Sequence, residues 1–225
     1  MATRGFLFFD LDGTIADSGA GITASMNDAF AAAGLDALSS VEVRRIIGPP
    51  LQTTMPELLT ARGVGLDRVD FFIDQYRQIY REHHLPRTQI FDGMAEVLNV
   101  LAQSWHLSVV TAKPQTQADI AVRAVGVDHH MITVVGPADD APLPKARLLE
   151  KALLNVEKSL GHRPDVAKCW MIGDRHHDIN AGLEVGTSAA GVLWGFGDHA
   201  ELHGAGAHVV VSQPQELLDV LSRQQ

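Results

Sequence analysis

The sequence predicts an α/β fold: a parallel sheet with helices on both faces, carrying one all-helical insert. Three observations predict it. Short apolar runs recur between helical patterns at residues 6–9, 107–110, 131–135, 169–172, 189–193 and 208–211. They are near-continuously apolar rather than alternating, as strands buried on both faces of a parallel sheet are. The stretch from residue 17 to 88 reads as helices without a convincing strand run. Finally, 225 residues, 46% of them hydrophobic, suffice for one large domain or for a domain plus a smaller insert.

Taken in order, the run at 6–9 leads into Asp10-Leu11-Asp12-Gly13-Thr14. Helices are expected at 22–33, 40–47, 53–61 and 66–83, punctuated by Gly34, Gly48-Pro49-Pro50 and Gly63-Val64-Gly65. Ser39 or Ser40 followed by Glu42 marks a helix start. Further helices at 93–103, 115–125, 145–160, 178–185 and 214–223 carry apolar residues at three and four spacing and separate the remaining strands. The boundaries expected are therefore a core of residues 1–16 and 89–225, and a helical cap of residues 17–88 over the carboxyl edge of the sheet. The tail from residue 222 is expected to fray.

Composition excludes several classes. Lys+Arg number 18 against Asp+Glu 27, a net charge of −9, which argues against a nucleic-acid polymer as partner. Small anionic substrates stay open, because a bound divalent cation reverses the local sign. The single cysteine, Cys169, lies inside an apolar run and has no partner for a disulfide. No apolar stretch reaches the ~18 residues of a membrane span, and the N-terminus enters a strand pattern directly. The expectation is a soluble cytoplasmic protein, a monomer or homodimer, with no membrane partner.

The chemistry-bearing residues stand at strand ends, where open α/β sheets bind ligands. Side chains alternate along a strand, so Asp10 and Asp12 can face the same way and share one cation. Asp174, after the 169–172 run, completes a three-carboxylate oxygen site with them, suited to Mg²⁺. Asp178, four residues on, is placed to orient that site or to bond Lys145; alone it reads equally as a helix cap. His176 and His177 read as loop residues. Thr111-Ala112-Lys113 brings a hydroxyl and free backbone amides to a strand-to-helix junction, an anion-binding arrangement. Lys145 opens a helix, where a cation is unfavourable against the dipole, which suggests a nearby anion.

In order, Asp10-Leu11-Asp12-Gly13-Thr14, Thr111, Lys145 and Gly173-Asp174 with Asp178 resemble the motif set of the haloacid dehalogenase superfamily, in its phosphoglycolate phosphatase-like branch. The segments Ile47-Gly48-Pro49-Pro50-Leu51, Gly173-Asp174-Arg175 and Gly191–Gly197 are similar to the bacterial 5′-nucleotidase-like subgroup. Pro142-Leu143-Pro144 departs from it, since members often carry an arginine shortly before the motif lysine. The resemblance implies a Rossmann-like core with a helical cap after the first strand, and hydrolysis of a small phosphorylated substrate. It implies Asp10 as nucleophile and Asp12 as acid and base. Mg²⁺ is then held by the Asp10 side chain, the Asp12 carbonyl and Asp174, and the phosphoryl group by Thr111, Ala112, Lys113 and Lys145.

No lysine precedes Lys113, so the family's Schiff-base phosphonate chemistry lacks its nucleophile. A phosphosugar mutase, a receiver-like signalling domain and an inactive interaction protein remain as alternatives. Specificity is expected from the cap, with Gly48 in a stiff turn aimed at the site and Arg44 or Arg45 as a receptor for a second anion. Trp194 and Phe196 are candidates for the pocket wall, although packing is the more usual role. Gly19 to Gly21 is expected to hinge the cap.

Overall fold

The computed structural model describes residues 5–138 and 141–222. Its centre is a six-stranded parallel sheet built from β1 (Phe6–Phe9), β4 (His106–Val110), β5 (Met131–Val135), β6 (Cys169–Gly173), β7 (Ser188–Val192) and β8 (Val209–Val211), in the order β5-β4-β1-β6-β7-β8. The chain builds outward from β1 on one side, then returns to its other side with β6. That reversal is a topological switch point, where a crevice opens at the carboxyl ends of the strands. The register sets the level of the site: Phe9 stands opposite both Val109 and Ile172, so Asp10, Thr111 and Asp174 leave neighbouring strands together.

All four β1 side chains are buried, and the strand period divides them. Leu7 and Phe9 join Leu107, Val109, Trp170 and Ile172 on one face, covered by α5 (Met94–Leu101), α6 (Gln115–Ala124) and α10 (Glu216–Ser222). Phe6 and Phe8 join Cys169 and Met171 on the other, against Leu148, Leu149, Ala152 and Val156 of α7 (Lys145–Leu160). Two further helices, α8 (His176–Val185) and α9 (His199–Gly204), complete the layers. This is the expected Rossmann-like arrangement. The Cys169 thiol is buried, and burial pushes its pKa up to about 12.

Between β1 and β3 (Gln89–Ile90) lie β2 (Ala16–Asp17) and the helical insert: α1 (Gly19–Ala31), α2 (Ser40–Ile46), α3 (Leu51–Thr60) and α4 (Val69–Ile79). Ser39 caps α2 in a reciprocal box with Glu42. Met26, Phe30, Met55, Leu59 and Phe72 form the insert's interior, continuous with Phe9, Leu11 and Ile15 beneath.

Three details differ from expectation. First, β2 and β3 pair antiparallel, Ala16 with Ile90 and Asp17 with Gln89, pinning the insert's two connections together; strands this short carry no readable period. Second, the helix expected over 66–83 is a 3₁₀ turn at Leu66–Arg68, then α4, then a π turn at Tyr80–His84 and a 3₁₀ turn at Leu85–Arg87. Pro86, in the last of these turns, bears only on the C-terminal change, since proline lacks the N–H that an α ladder needs. Third, Gly19 and Gly21 lie inside α1 rather than in a hinge loop; a Cβ on Gly19 would stand 2.6 Å from the Phe196 ring. Residues 223–225, the end of the expected last helix and frayed tail, lie outside the described residues. Among the described residues no helix is long and apolar enough to cross a membrane.

Candidate active site

Asp10, Asp174 and Asp178 converge at the switch point. One carboxylate oxygen from each lies within 4.8 Å of the others, and all three residues are buried. The Asp10 amide donates to the Ile172 carbonyl at 2.8 Å, which continues the sheet one residue past β1 and fixes the carboxylate beside β6. Asp178 sits in the first turn of α8 and accepts from the Arg175 amide at 3.1 Å. Asp174 accepts from the Phe196 amide at 2.7 Å and from the Thr14 hydroxyl at 3.4 Å.

Lys145 supplies the only side-chain cation paired with this trio among the described residues. Its ammonium stands 2.6 Å from Asp10 Oδ1 and 2.9 Å from Asp178 Oδ1. These are the anions that its place at the start of α7 calls for. Asp12 stands apart from the trio. Its carboxylate accepts from the Ser18 hydroxyl at 2.5 Å and pairs with the Lys113 ammonium at 3.1 Å. Lys113 also reaches the insert, donating to the Tyr80 hydroxyl at 3.2 Å and lying 4.5 Å from that ring's centre. The Thr111 hydroxyl is buried and accepts from the Lys113 amide at 3.1 Å. That bond shapes the turn carrying Ala112 and Lys113 into α6.

The electrostatics follow from crowding acids in a dry place. Burial, reinforced by Asp178 and Asp12 and only partly offset by Lys145, pushes Asp10 up to about 7. Burial, with Asp10 and Asp178 beside it, holds Asp174 well above the usual carboxylate range. For Lys145, burial works toward the neutral form, but Asp10 and Asp178 outweigh it and keep the ammonium charged. Asp12, Tyr80 and Tyr76 do the same for buried Lys113. Burial also pushes His177 down to about 4. Both His176 and His177 belong to the first turn of α8, not to a loop.

Two glycines are required by close approach. Gly13 has φ +87°, and a Cβ there would stand 2.4 Å from Asp174 Oδ2; a Cβ on Gly195 would meet the same oxygen at the same distance. The segment after β7 therefore wraps the acids. Trp194 donates to the Thr14 carbonyl at 2.9 Å, and the Phe196 ring packs on Gly19. These aromatics buttress the acid loop instead of forming a pocket wall.

A cavity of about 80 Å³ opens between the strand ends and the insert, with Asp12, Ala112 and Lys113 below and Gly48, Pro49 and Tyr76 above. Arg175 ties the two sides together: its Nη1 donates to the carbonyls of Ile47 at 2.6 Å and Arg44 at 2.8 Å, while its Nε donates to Glu201 at 2.9 Å. Gly48, with φ +110°, packs on this side chain. The arginines singled out in the sequence face elsewhere: Arg45 pairs with Glu57 on the exposed side, and Arg44 is exposed. The sequence reading missed Ser18, Tyr76, Tyr80, Arg77, Gln117 and the Arg175 link. An apolar-period reading counts the tyrosines as core, and only the fold brings α4 over α6.

The fold around these acids and lysines, a parallel sheet carrying a helical insert, is shared with known proteins. The family model described as haloacid dehalogenase-like hydrolase matches residues 7–192, and the chain belongs to that family. It is similar to a 5′-nucleotidase of Pseudomonas aeruginosa, 32% identical over 197 residues covering 87% of this chain and 86% of that protein. An N-acetylmuramic acid 6-phosphate phosphatase of the same species is 29% identical over 225 residues, covering 96% and 94%. A haloacid dehalogenase-like hydrolase structure from Streptococcus pneumoniae superposes with a TM-score of 0.86 at 25% identity, covering 98% of this chain and 99% of that one. The chain is a phosphatase of this family.

Proposed function

We propose that the protein is a Mg²⁺-dependent phosphomonoester hydrolase that forms an aspartyl-phosphate on Asp10. The observation carrying this reading is the placement of the Asp10 carboxylate, 2.6 Å from Lys145 and inside a buried acid trio at the switch point.

The donor set fits a hard divalent cation. Asp10, Asp174 and Asp178 are buried acids sharing a single lysine, and burial and mutual repulsion push Asp10 and Asp174 toward protonation. Oxygen-only ligands suit Mg²⁺. Asp10 and Asp174, with the Asp12 carbonyl, are the residues to hold it, and Asp178 holds Lys145 and the Arg175 turn beside them. When bound, the cation neutralises charge between nucleophile and phosphate.

The remaining work falls to the chain's side chains. Asp10 attacks phosphorus while the bond to the leaving oxygen breaks, and Asp12 delivers a proton to that oxygen. Water then attacks phosphorus, Asp12 takes its proton, and the Asp10–phosphorus bond opens to release phosphate. Ser18 and Lys113 aim the Asp12 carboxylate at the cavity. Lys145, the Thr111 hydroxyl and the amides of Ala112 and Lys113 hold the phosphoryl oxygens. We read residues 17–88 as a cap that closes over this chemistry, its Gly48 turn meeting the leaving group.

The substrate is a small phosphorylated metabolite, in the class of phosphoglycolate or a nucleoside 5′-monophosphate, met as a free molecule. The helical insert and a second aspartate at the cavity weigh against a receiver-like domain. The test is hydrolysis of p-nitrophenyl phosphate with Mg²⁺ and with EDTA, by wild type, Asp10→Asn and Asp12→Asn. EDTA and either substitution should abolish turnover; full activity in either variant ends this scheme.

A further inference from the structure

Both oxygens of the Asp12 carboxylate are held, and both holders lead back to the insert. Oδ1 accepts from the Ser18 hydroxyl at 2.5 Å, and Ser18 precedes α1 as its N-cap residue. Oδ2 pairs with the Lys113 ammonium at 3.1 Å. That ammonium in turn donates to the Tyr80 hydroxyl at 3.2 Å and stands 4.5 Å from the centre of the Tyr80 ring. Tyr80 opens the π turn that follows α4. At the far end of that turn, His84 packs closely on α1: a Cβ on Gly21 would stand 3.0 Å from the His84 Cβ. The two arms that reach Asp12 therefore come from elements packed on one another.

Tyr80 is 0% exposed. Asp12, Lys113 and Tyr76 line the cavity, but Tyr80 does not. Its ring stacks on that of Tyr76, with 5.7 Å between centres and 12° between planes, as residues four apart on one helix face can. A buried, stacked ring is a rigid support. Lysine, by contrast, carries its charge on a flexible four-carbon stem with three rotatable donors. Paired with Asp12 alone, the ammonium could turn about the carboxylate. The face of the Tyr80 ring and its hydroxyl fix where the ammonium stands. That matters because proton delivery needs the acid within hydrogen-bond reach of the departing oxygen, and small misplacements are costly.

We infer that Tyr80 is a positioning residue for the leaving-group proton: through Lys113 it sets where Asp12 Oδ2 stands when the ester bond breaks. This rests on the phosphatase reading above, with Asp12 as the acid. Tyr80 itself touches neither the substrate nor the reacting atoms. Its hydroxyl gives the insert a hold on the acid that is separate from Ser18 and from the Gly48 turn.

The experiment compares kcat/KM for p-nitrophenyl phosphate and phenyl phosphate in wild type, Tyr80→Phe, Lys113→Met and the double variant, with thermal melts of each. The two esters have similar shapes. The p-nitrophenolate leaves readily as an anion, whereas the more basic phenolate draws more on the acid. Because kcat/KM covers the steps up to departure of the leaving group, the later attack of water does not enter. Tyr80→Phe keeps the ring and its stacking and removes the hydroxyl. It should lower kcat/KM for phenyl phosphate about tenfold, the size of one net hydrogen bond, and for p-nitrophenyl phosphate by less than about threefold. In the Lys113→Met background the same substitution should change neither ester further, because the hold runs through Lys113. An equal loss on both esters, as a merely structural role would give, overturns the inference. So does an undiminished effect of Tyr80→Phe in the Lys113→Met background. If Lys113→Met does not fold, the ratio in Tyr80→Phe decides alone. Full activity in Asp12→Asn would end the phosphatase scheme and take the inference with it. Hydrolysis that needs Asp12 but shows no change of ratio in Tyr80→Phe leaves that scheme standing and removes only the inference.

Discussion

Lys145 Nζ lies 2.6 Å from Asp10 Oδ1, joining the first residue of α7 to the residue that follows β1. The same ammonium lies 2.9 Å from Asp178 Oδ1. One buried cation thus serves two buried carboxylates, with Asp174 adjacent. Removing it leaves uncompensated charge in a dry site. Lys145→Met should destabilise the protein by about 3–5 kcal/mol, the usual cost of breaking a buried pair from one side, and should lower kcat by at least ~10²-fold. Denaturant melts and steady-state rates check this; an unchanged kcat would contradict the assigned role.

The acid trio predicts a pH-dependent response to divalent cation. Asp10 is raised from 3.8 to about 7, and Asp174 is raised as well. Between about pH 4 and 7 the folded state therefore holds protons that the unfolded chain has lost. Stability contributed by these groups falls as pH rises through that window. A cation among the deprotonated acids removes that penalty. Added Mg²⁺ should raise Tm more at pH 7.5 than at pH 5. Equal shifts at both pH values would contradict the account.

Gly13 should tolerate no side chain. Alanine at φ +87° is strained, and its Cβ would stand 2.4 Å from Asp174 Oδ2. Gly13→Ala should cost about 1–2 kcal/mol from the backbone alone and displace Asp174, so activity should fall further than stability does. Circular dichroism alongside rate measurements separates the two. Wild-type rates would mean that the loop is less constrained than the packing indicates.

Arg175 anchors the Gly48 turn by donating to the carbonyls of Ile47 and Arg44. Arg175→Ala frees that turn and leaves Glu201 with only His176 as its partner. The expected result is a KM raised about tenfold, equivalent to one lost hydrogen bond of ~1.4 kcal/mol, with a smaller change in kcat. A drop in kcat at constant KM would place Arg175 in the chemistry instead.

Much of this was legible in the sequence for a physical reason. Strands buried on both faces leave continuous apolar runs, and strand ends at a switch point concentrate polar chemistry, so Asp10, Asp12, Thr111, Lys145, Asp174 and Asp178 stand out by position. The Ala16–Asp17 and Gln89–Ile90 pair was illegible because two residues have no period. Tyr76, Arg77 and Gln117 were hidden for another reason: helical periodicity tells which side of α4 is buried, not that α6 lies across from it. Arg44 and Arg45 show the converse. Their proximity to the Gly48 turn in sequence suggests a role in the site, but one turn of α2 directs them outward. Trp194 and Phe196 likewise serve the acid loop through Thr14 and Asp174.

The central claim is that Asp10 receives the phosphoryl group. Its most direct test is acid quenching of the enzyme during turnover of p-nitrophenyl phosphate with Mg²⁺, then mass mapping of the peptide spanning residue 10. The account predicts the added mass of one phosphoryl group on Asp10, and its absence in Asp10→Asn. Steady turnover with the phosphoryl group found on another residue would contradict it.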